Sequence, residues 1–203
     1  GSILFECEIE DTGDDAKNLG AAVIEAVKAK VSLRRANLTG ANFTDANLRG
    51  AYLKGAYLSG ANFTNANLTH AYLYRANLRD ADFSGAYLRG ANFTGANLRG
   101  IVISGYENIP VIEKIHKKLY EAVCSGSLEM SAWHTCETTH SRAGWVVHLA
   151  GRDAKIIESI YGTRLTAALI YFKSDPDLKM VPDFYCQNEK ALNDIKKMAG
   201  VEQ

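Results

Sequence analysis

The sequence predicts a mainly β solenoid carrying an N-terminal strand–helix cap and an all-α C-terminal domain. Three observations predict it. A five-residue period runs from Val31 to Gly105 without one insertion, a strand-then-helix pattern precedes it, and all three prolines arrive with helical spacing after it. The segments are residues 1–30, 31–105 and 106–203.

The first segment alternates apolar with mainly acidic residues over Ile3–Glu10, as a strand with one buried face does. Asp11–Asp15 forms a turn with candidate N-caps. Residues 16–30 then place Leu19, Val23, Ile24 and Val27 on one helical face. An open solenoid end exposes apolar core, so this unit is expected to cap it.

The middle segment divides into fifteen consecutive five-residue units. Their third position is always large and apolar, from Leu33 through Phe43, Phe63 and Phe83 to Ile103. The first is alanine in thirteen units, Ala36 to Ala96. Neither the helical nor the strand period yields two inward residues in five. A tube that turns a corner at every unit does, with the large residue on its axis and alanine where the wall runs close. Stacked coils then supply one another's backbone hydrogen bonds.

The tandem pattern A(N/D/Y)(L/F)xx resembles the pentapeptide repeat family. The resemblance covers 75 of 203 residues and implies a right-handed quadrilateral β-helix of just under four coils. Twenty residues per coil place Phe43, Phe63, Phe83 and Ile103 on one side, under Thr44, Thr64, Ser84 and Ser104. A second side carries Arg49, Thr69 and Arg89. A third carries Arg34, Lys54, Tyr74 and Thr94 beside Tyr52 and Tyr72. The last carries Thr39, Ser59, Arg79 and Arg99.

Charge constrains function. The chain has 23 basic and 23 acidic residues, which disfavours both a basic nucleic-acid binder and an acidic nucleic-acid mimic. The repeat segment alone holds eight basic residues against three acidic ones, a net +5. The cap is acidic and the last segment near neutral. The family's best-known activity is protection of type II topoisomerases by long acidic β-helices that imitate DNA. This segment departs from them in sign, in length and in lacking inserted loops. Its basic residues are read as dispersed over three sides, a solvated wall rather than a groove.

After Gly105, Ile112, Ile115, Leu119 and Val123 mark a helix over 110–124, with further helices expected near 139–150, 152–161, 163–173 and 187–199. This domain resembles a helical module that follows pentapeptide repeats in phage and prophage proteins. It contains the densest chemistry in the chain, Trp133 to Trp145. His134, Cys136 and His140 are candidate zinc ligands, with His148 nearby, although their spacing is not that of a standard finger. Cys136 is also a candidate nucleophile beside a helix starting near Thr138 or Thr139, with a histidine as base. Trp133, Arg142 and Trp145 are residue types enriched at interaction hot spots, and with Tyr52, Tyr72 and Tyr74 they form the expected interaction set. The plainer reading puts both tryptophans in the core, with Thr138 or Thr139 as helix cap. Cys7, Cys124 and Cys186 read as packing residues, and Lys114, His116, Lys117 and Lys118 as a wet helix face.

No apolar run approaches the roughly 18–20 residues that span a bilayer. Four scattered cysteines make no disulfide framework, so a reducing cytoplasm is expected. Gly1-Ser2 reads as a vector-derived dipeptide. No phosphate loop, dinucleotide fingerprint, HExxH or serine elbow is present, and no cofactor is implied. The reading is a non-enzymatic interaction or scaffold protein, a rigid solenoid presenting a helical binding domain. Its partner would be another protein, a bacterial host protein if the chain is phage-encoded, or a second copy through the C-terminal domain. The alternatives are a nucleic-acid-associated protein using the basic solenoid or, behind it, a topoisomerase-directed DNA mimic, and metal- or thiol-dependent activity at Cys136 and His140.

Overall fold

The computed structural model describes residues 6–104, 108–128, 139–184 and 186–201. The chain divides into two compact units, Gly1–Tyr106 and Glu107–Gln203.

In the first unit, isolated parallel β-bridges join residues twenty apart, such as Asn37 to Tyr57, Asn62 to Asp82 and Asp82 to Val102. One coil is therefore four units. Each bridge is a single pair, because most of a five-residue unit is spent on its corner. There the first-position N–H returns to the third-position carbonyl three residues back, as from Ala36 to Leu33 at 3.1 Å and from Ala66 to Phe63 at 2.9 Å. The fifth position is then the third residue of a four-residue turn, and φ there is positive from Arg35 (58°) to Gly100 (71°). Type II turns require this, which explains the glycines and asparagine found there.

Between coils the ladder repeats with period twenty. Leu38 N–H donates to the Tyr57 carbonyl at 2.8 Å, and Tyr57 N–H donates to that of Ala36 at 2.9 Å. Alanines and large apolar residues point inward and are buried throughout. The Phe43, Phe63 and Phe83 rings stack along the axis at 5.0 and 4.9 Å, and Phe93 meets Phe83 edge-on at 6.1 Å. Each fully buried Leu or Phe contributes about 1.5–3 kcal/mol.

The second position has a structural task. The Asn62 side-chain oxygen accepts from Thr64 N–H at 2.9 Å and from its hydroxyl at 2.6 Å. Asn42, Asn67 and Asp82 likewise accept the N–H two residues on. These Asx contacts satisfy a turn donor that no coil-to-coil bond reaches.

Before the coils, α1 (Asp15–Lys28) starts at Asp14, whose carboxylate accepts from the N–H groups of Ala16 and Lys17. Its buried residues are Gly20, Val23 and Ala26. It lies against the first coil, where Asn42 N–H donates to the Ala16 carbonyl at 2.9 Å. The expected strand is corrected: residues 6–10 are exposed and unpaired in any ladder, and residues 3–5 lie outside the described residues. A strand needs an edge to pair with, and at Asn42 that edge is taken by α1.

The second unit is mostly helical among the described residues. It comprises α2 (Ile115–Ser125), α3 (Arg142–Tyr161), α4 (Thr163–Ser174) and α5 (Asn188–Ala199). Gly151, at φ 78°, breaks α3 where the sequence divides two helices. α4 is buried from Leu165 to Phe172, an element surrounded by its neighbours. One departure from all-α is a parallel pair, β1 (Ser127–Leu128) with β2 (Thr139–His140). Thr139 and His140 are therefore extended rather than helical. The N-cap of α3 is Ser141, whose hydroxyl accepts from Gly144 N–H at 3.1 Å, in place of Thr138 or Thr139.

Candidate interaction surface

The coil register concentrates charge that the sequence reading spread over three sides. The side built from residues 31–35, 51–55, 71–75 and 91–95 carries Arg34, Arg35, Lys54 and Arg75 and no acidic residue. All four cations are exposed. Of the remaining sides, the one with Arg49 and Arg89 carries two positive charges. The side with Arg79 and Arg99 is offset by Asp80, and the Phe side holds Asp45 and Asp82. Most of the net +5 thus sits on one wall, because residues twenty apart stack.

Tyrosines share that wall. Tyr52 and Tyr72 stand 52% and 47% exposed, their rings stacked at 4.9 Å and 3°. Tyr74 is half-buried, with Lys54 Nζ 5.0 Å and Arg75 Cζ 5.1 Å from its ring centroid, within cation–π reach. The stack covers one face of Tyr52 and one of Tyr72, and the π-system of Tyr74 engages two cations. What the wall offers outward is positive charge together with the hydroxyls, edges and remaining faces of Tyr52 and Tyr72.

The C-terminal candidates are arranged otherwise. Arg142 is fully buried. Its Nε donates to the Tyr171 hydroxyl at 3.1 Å, Nη1 to Asp194 at 3.0 Å and Nη2 to the Met198 sulfur at 2.7 Å. It ties α3 to α4 and α5, so the expected contact role is corrected to an internal one. Burial pushes the Tyr171 phenol up, partly offset by the guanidinium. Trp145 is 5% exposed and meets His148 edge-on at 5.5 Å, as the core reading has it. Trp133, His134 and Cys136 lie outside the described residues, and His140 is described only as backbone in β2. No metal-holding group of His, Cys, Asp and Glu occurs among the described residues.

Cys7 and Cys124 are exposed rather than packed. Cys186 is partly covered, and burial, with Asp183 beside it, raises its thiol pKa, which makes it a poor nucleophile. Lys117 and Lys118 are exposed as expected, but His116 pairs with Asp175 at 2.8 Å. Among the described residues, no helix is long and apolar enough to cross a membrane. The fourth positions alone give this side only Arg34 and Lys54, and the fifth positions add Arg35 and Arg75.

The family model for pentapeptide repeats matches residues 29–65 and 66–105. Among solved structures, a pentapeptide repeat protein of Nostoc PCC 7120 is 38% identical over 40% of this chain and 72% of its own, with a TM-score of 0.36. HetL, a Nostoc pentapeptide repeat protein involved in heterocyst differentiation regulation, is 37% identical over 35% of this chain, with a TM-score of 0.23. A pentapeptide repeat protein of the Arabidopsis thaliana thylakoid lumen is 31% identical over 34%, also at 0.23. The chain spans 36% of HetL and 45% of the Arabidopsis protein. No curated protein matches it. Fifteen uninterrupted units, the family match across them and the shared identity with the first Nostoc protein have one explanation: the chain belongs to the pentapeptide repeat family.

Proposed function

We propose that the protein is a non-enzymatic interaction protein whose coil, right-handed as in its family, offers one basic, tyrosine-bearing wall to an acidic protein partner. The observation that carries this reading is the wall of Arg34, Arg35, Lys54 and Arg75, free of any acidic residue. A rigid solenoid holds those charges in fixed register, so little order is lost on binding. The tyrosines favour carboxylates over nucleobases. Single-strand binders offer aromatic faces for stacking, and here those faces are partly occupied by ring and cation neighbours.

Fluorescence anisotropy with labelled poly-glutamate and with oligo-thymidine tests it. Poly-glutamate is expected to bind at low salt, to weaken as salt rises from about 50 to 200 mM, and to bind the Lys54→Gln/Arg75→Gln protein at least several-fold more weakly. No binding at low salt, or a clear preference for oligo-thymidine, would remove the reading.

A further inference from the structure

We infer that the acidic occupant of this wall is the irregular segment around Glu6–Asp11 of a second copy of the chain, bound in an extended form, an inference that rests on the reading just given. The segment carries Glu6, Glu8, Glu10 and Asp11, with Asp14 and Asp15 directly after it. Residues 6–12 are exposed and lie in no helix or ladder. Asp11 is held locally, accepting from Gly13 N–H at 2.9 Å and the Asn18 amide at 2.7 Å. Glu6, Glu8 and Glu10 form no ion pair among the described residues. The segment therefore presents alternating carboxylates with its backbone unpaired.

Sign fits, and the two spans are comparable within the reach of Lys and Arg side chains. In an extended chain alternate residues share a side about 6.6 Å apart, so Glu6 to Glu10 spans about 13 Å. Arg34, Lys54 and Arg75 occupy three successive coils, about 10 Å from first to last at ~4.8 Å per coil. Ile9, 37% exposed, would lie on the other side of the segment from the glutamates. The chain's own segment starts from the wrong place. It runs straight into α1, whose Ala16 meets Asn42 on the Phe side, two corners round the coil from the basic wall. A neighbour's segment meets no such constraint. The contact joins unlike surfaces, so it is head-to-tail and builds open chains or closed rings.

Sedimentation velocity on the full chain tests it. The wild-type protein is expected to self-associate at about 50 mM salt and to dissociate by about 200 mM. Glu6→Lys/Glu8→Lys/Glu10→Lys and Arg34→Glu/Lys54→Glu/Arg75→Glu proteins should each be monomeric. Their equimolar mixture should associate, because complementary charges are restored across copies. The first variant alters only exposed chain outside any element, so loss of its association cannot come from unfolding. A wild-type protein that is monomeric at low salt yet binds poly-glutamate overturns this inference and leaves the acidic-partner reading standing. Association that persists in the Glu6/Glu8/Glu10 variant also overturns it. Failure of both assays removes both readings.

Discussion

The backbone N–H of Asn42 donates to the carbonyl of Ala16 at 2.9 Å, where Asn62 and Asp82, one and two coils on, donate to Ala41 and Ala61. The first turn of α1 thus stands in for a missing coil at this side of the solenoid. The close approach is set by Gly20, since a Cβ there would overlap the Asn42 carbonyl oxygen.

Gly20→Ala should therefore destabilise the first unit despite alanine's helix propensity, worth about 1 kcal/mol. The overlap is with backbone, and overpacking of this kind costs about 1–3 kcal/mol. Thermal unfolding followed by circular dichroism should show a lower Tm. An unchanged or higher Tm would mean that α1 can shift off the wall without loss.

Asn62→Ala removes two hydrogen bonds to Thr64, at 2.9 and 2.6 Å, and should cost about 1–2 kcal/mol. Asn62→Asp should be nearly neutral, because Asp82 already serves Ser84 N–H at 2.8 Å in the next coil. Denaturant midpoints of the two variants check the order. Equal losses would refute an acceptor role.

Phe63 is fully buried between Phe43 and Phe83, its ring stacked on both. Phe63→Ala should lose about 3–5 kcal/mol. Phe63→Leu should lose markedly less, since leucine fills the same position in the adjoining units Leu58 and Leu68. Chemical denaturation distinguishes the two, and a small effect of alanine would show that the axis can collapse onto the gap.

Arg142→Ala should destabilise by about 2–5 kcal/mol, since it empties a fully buried site and leaves the Tyr171 hydroxyl without its donor. Asp194→Asn should also destabilise, since it leaves the buried guanidinium without its carboxylate while an acceptor oxygen stays in place. Urea unfolding gives both numbers. A loss below about 1 kcal/mol for Arg142→Ala would contradict the internal role.

The Tyr171 phenol makes the same network sensitive to alkali. Its pKa is raised in the folded state, mainly by burial, so the folded chain keeps this proton to higher pH than the unfolded chain. The stability is intact below about pH 10 and declines as pH rises through the folded value. Tyr171→Phe should flatten that alkaline decline in Tm while lowering neutral stability by about 1 kcal/mol. An unaltered alkaline slope would exclude Tyr171 as its source.

The repeat was legible because its period is local: two inward positions in five specify the coil wherever they recur. Helix positions in the second unit were legible for the same reason, with breaks at Gly151 and Gly162. The sequence pattern alone suggests Arg142 as a contact residue, whereas the side chain is buried. Its side-chain chemistry suits either a surface or a buried network, and only the convergence of Tyr171, Asp194 and Met198, from 29 to 56 residues away, decides.

By itself the sequence determined that residues 31–104 form a repeating tube with Leu and Phe on its axis, since neither the helical nor the strand period buries that pattern. It also contained the charges of the basic wall, at spacings of twenty. The tertiary structure decided that α1 replaces a coil at Asn42, that residues 6–10 stay unpaired, and that Arg142 turns inward. Those outcomes depend on which distant groups compete for the same hydrogen bonds and the same buried volume, and neither propensity nor period contains that competition.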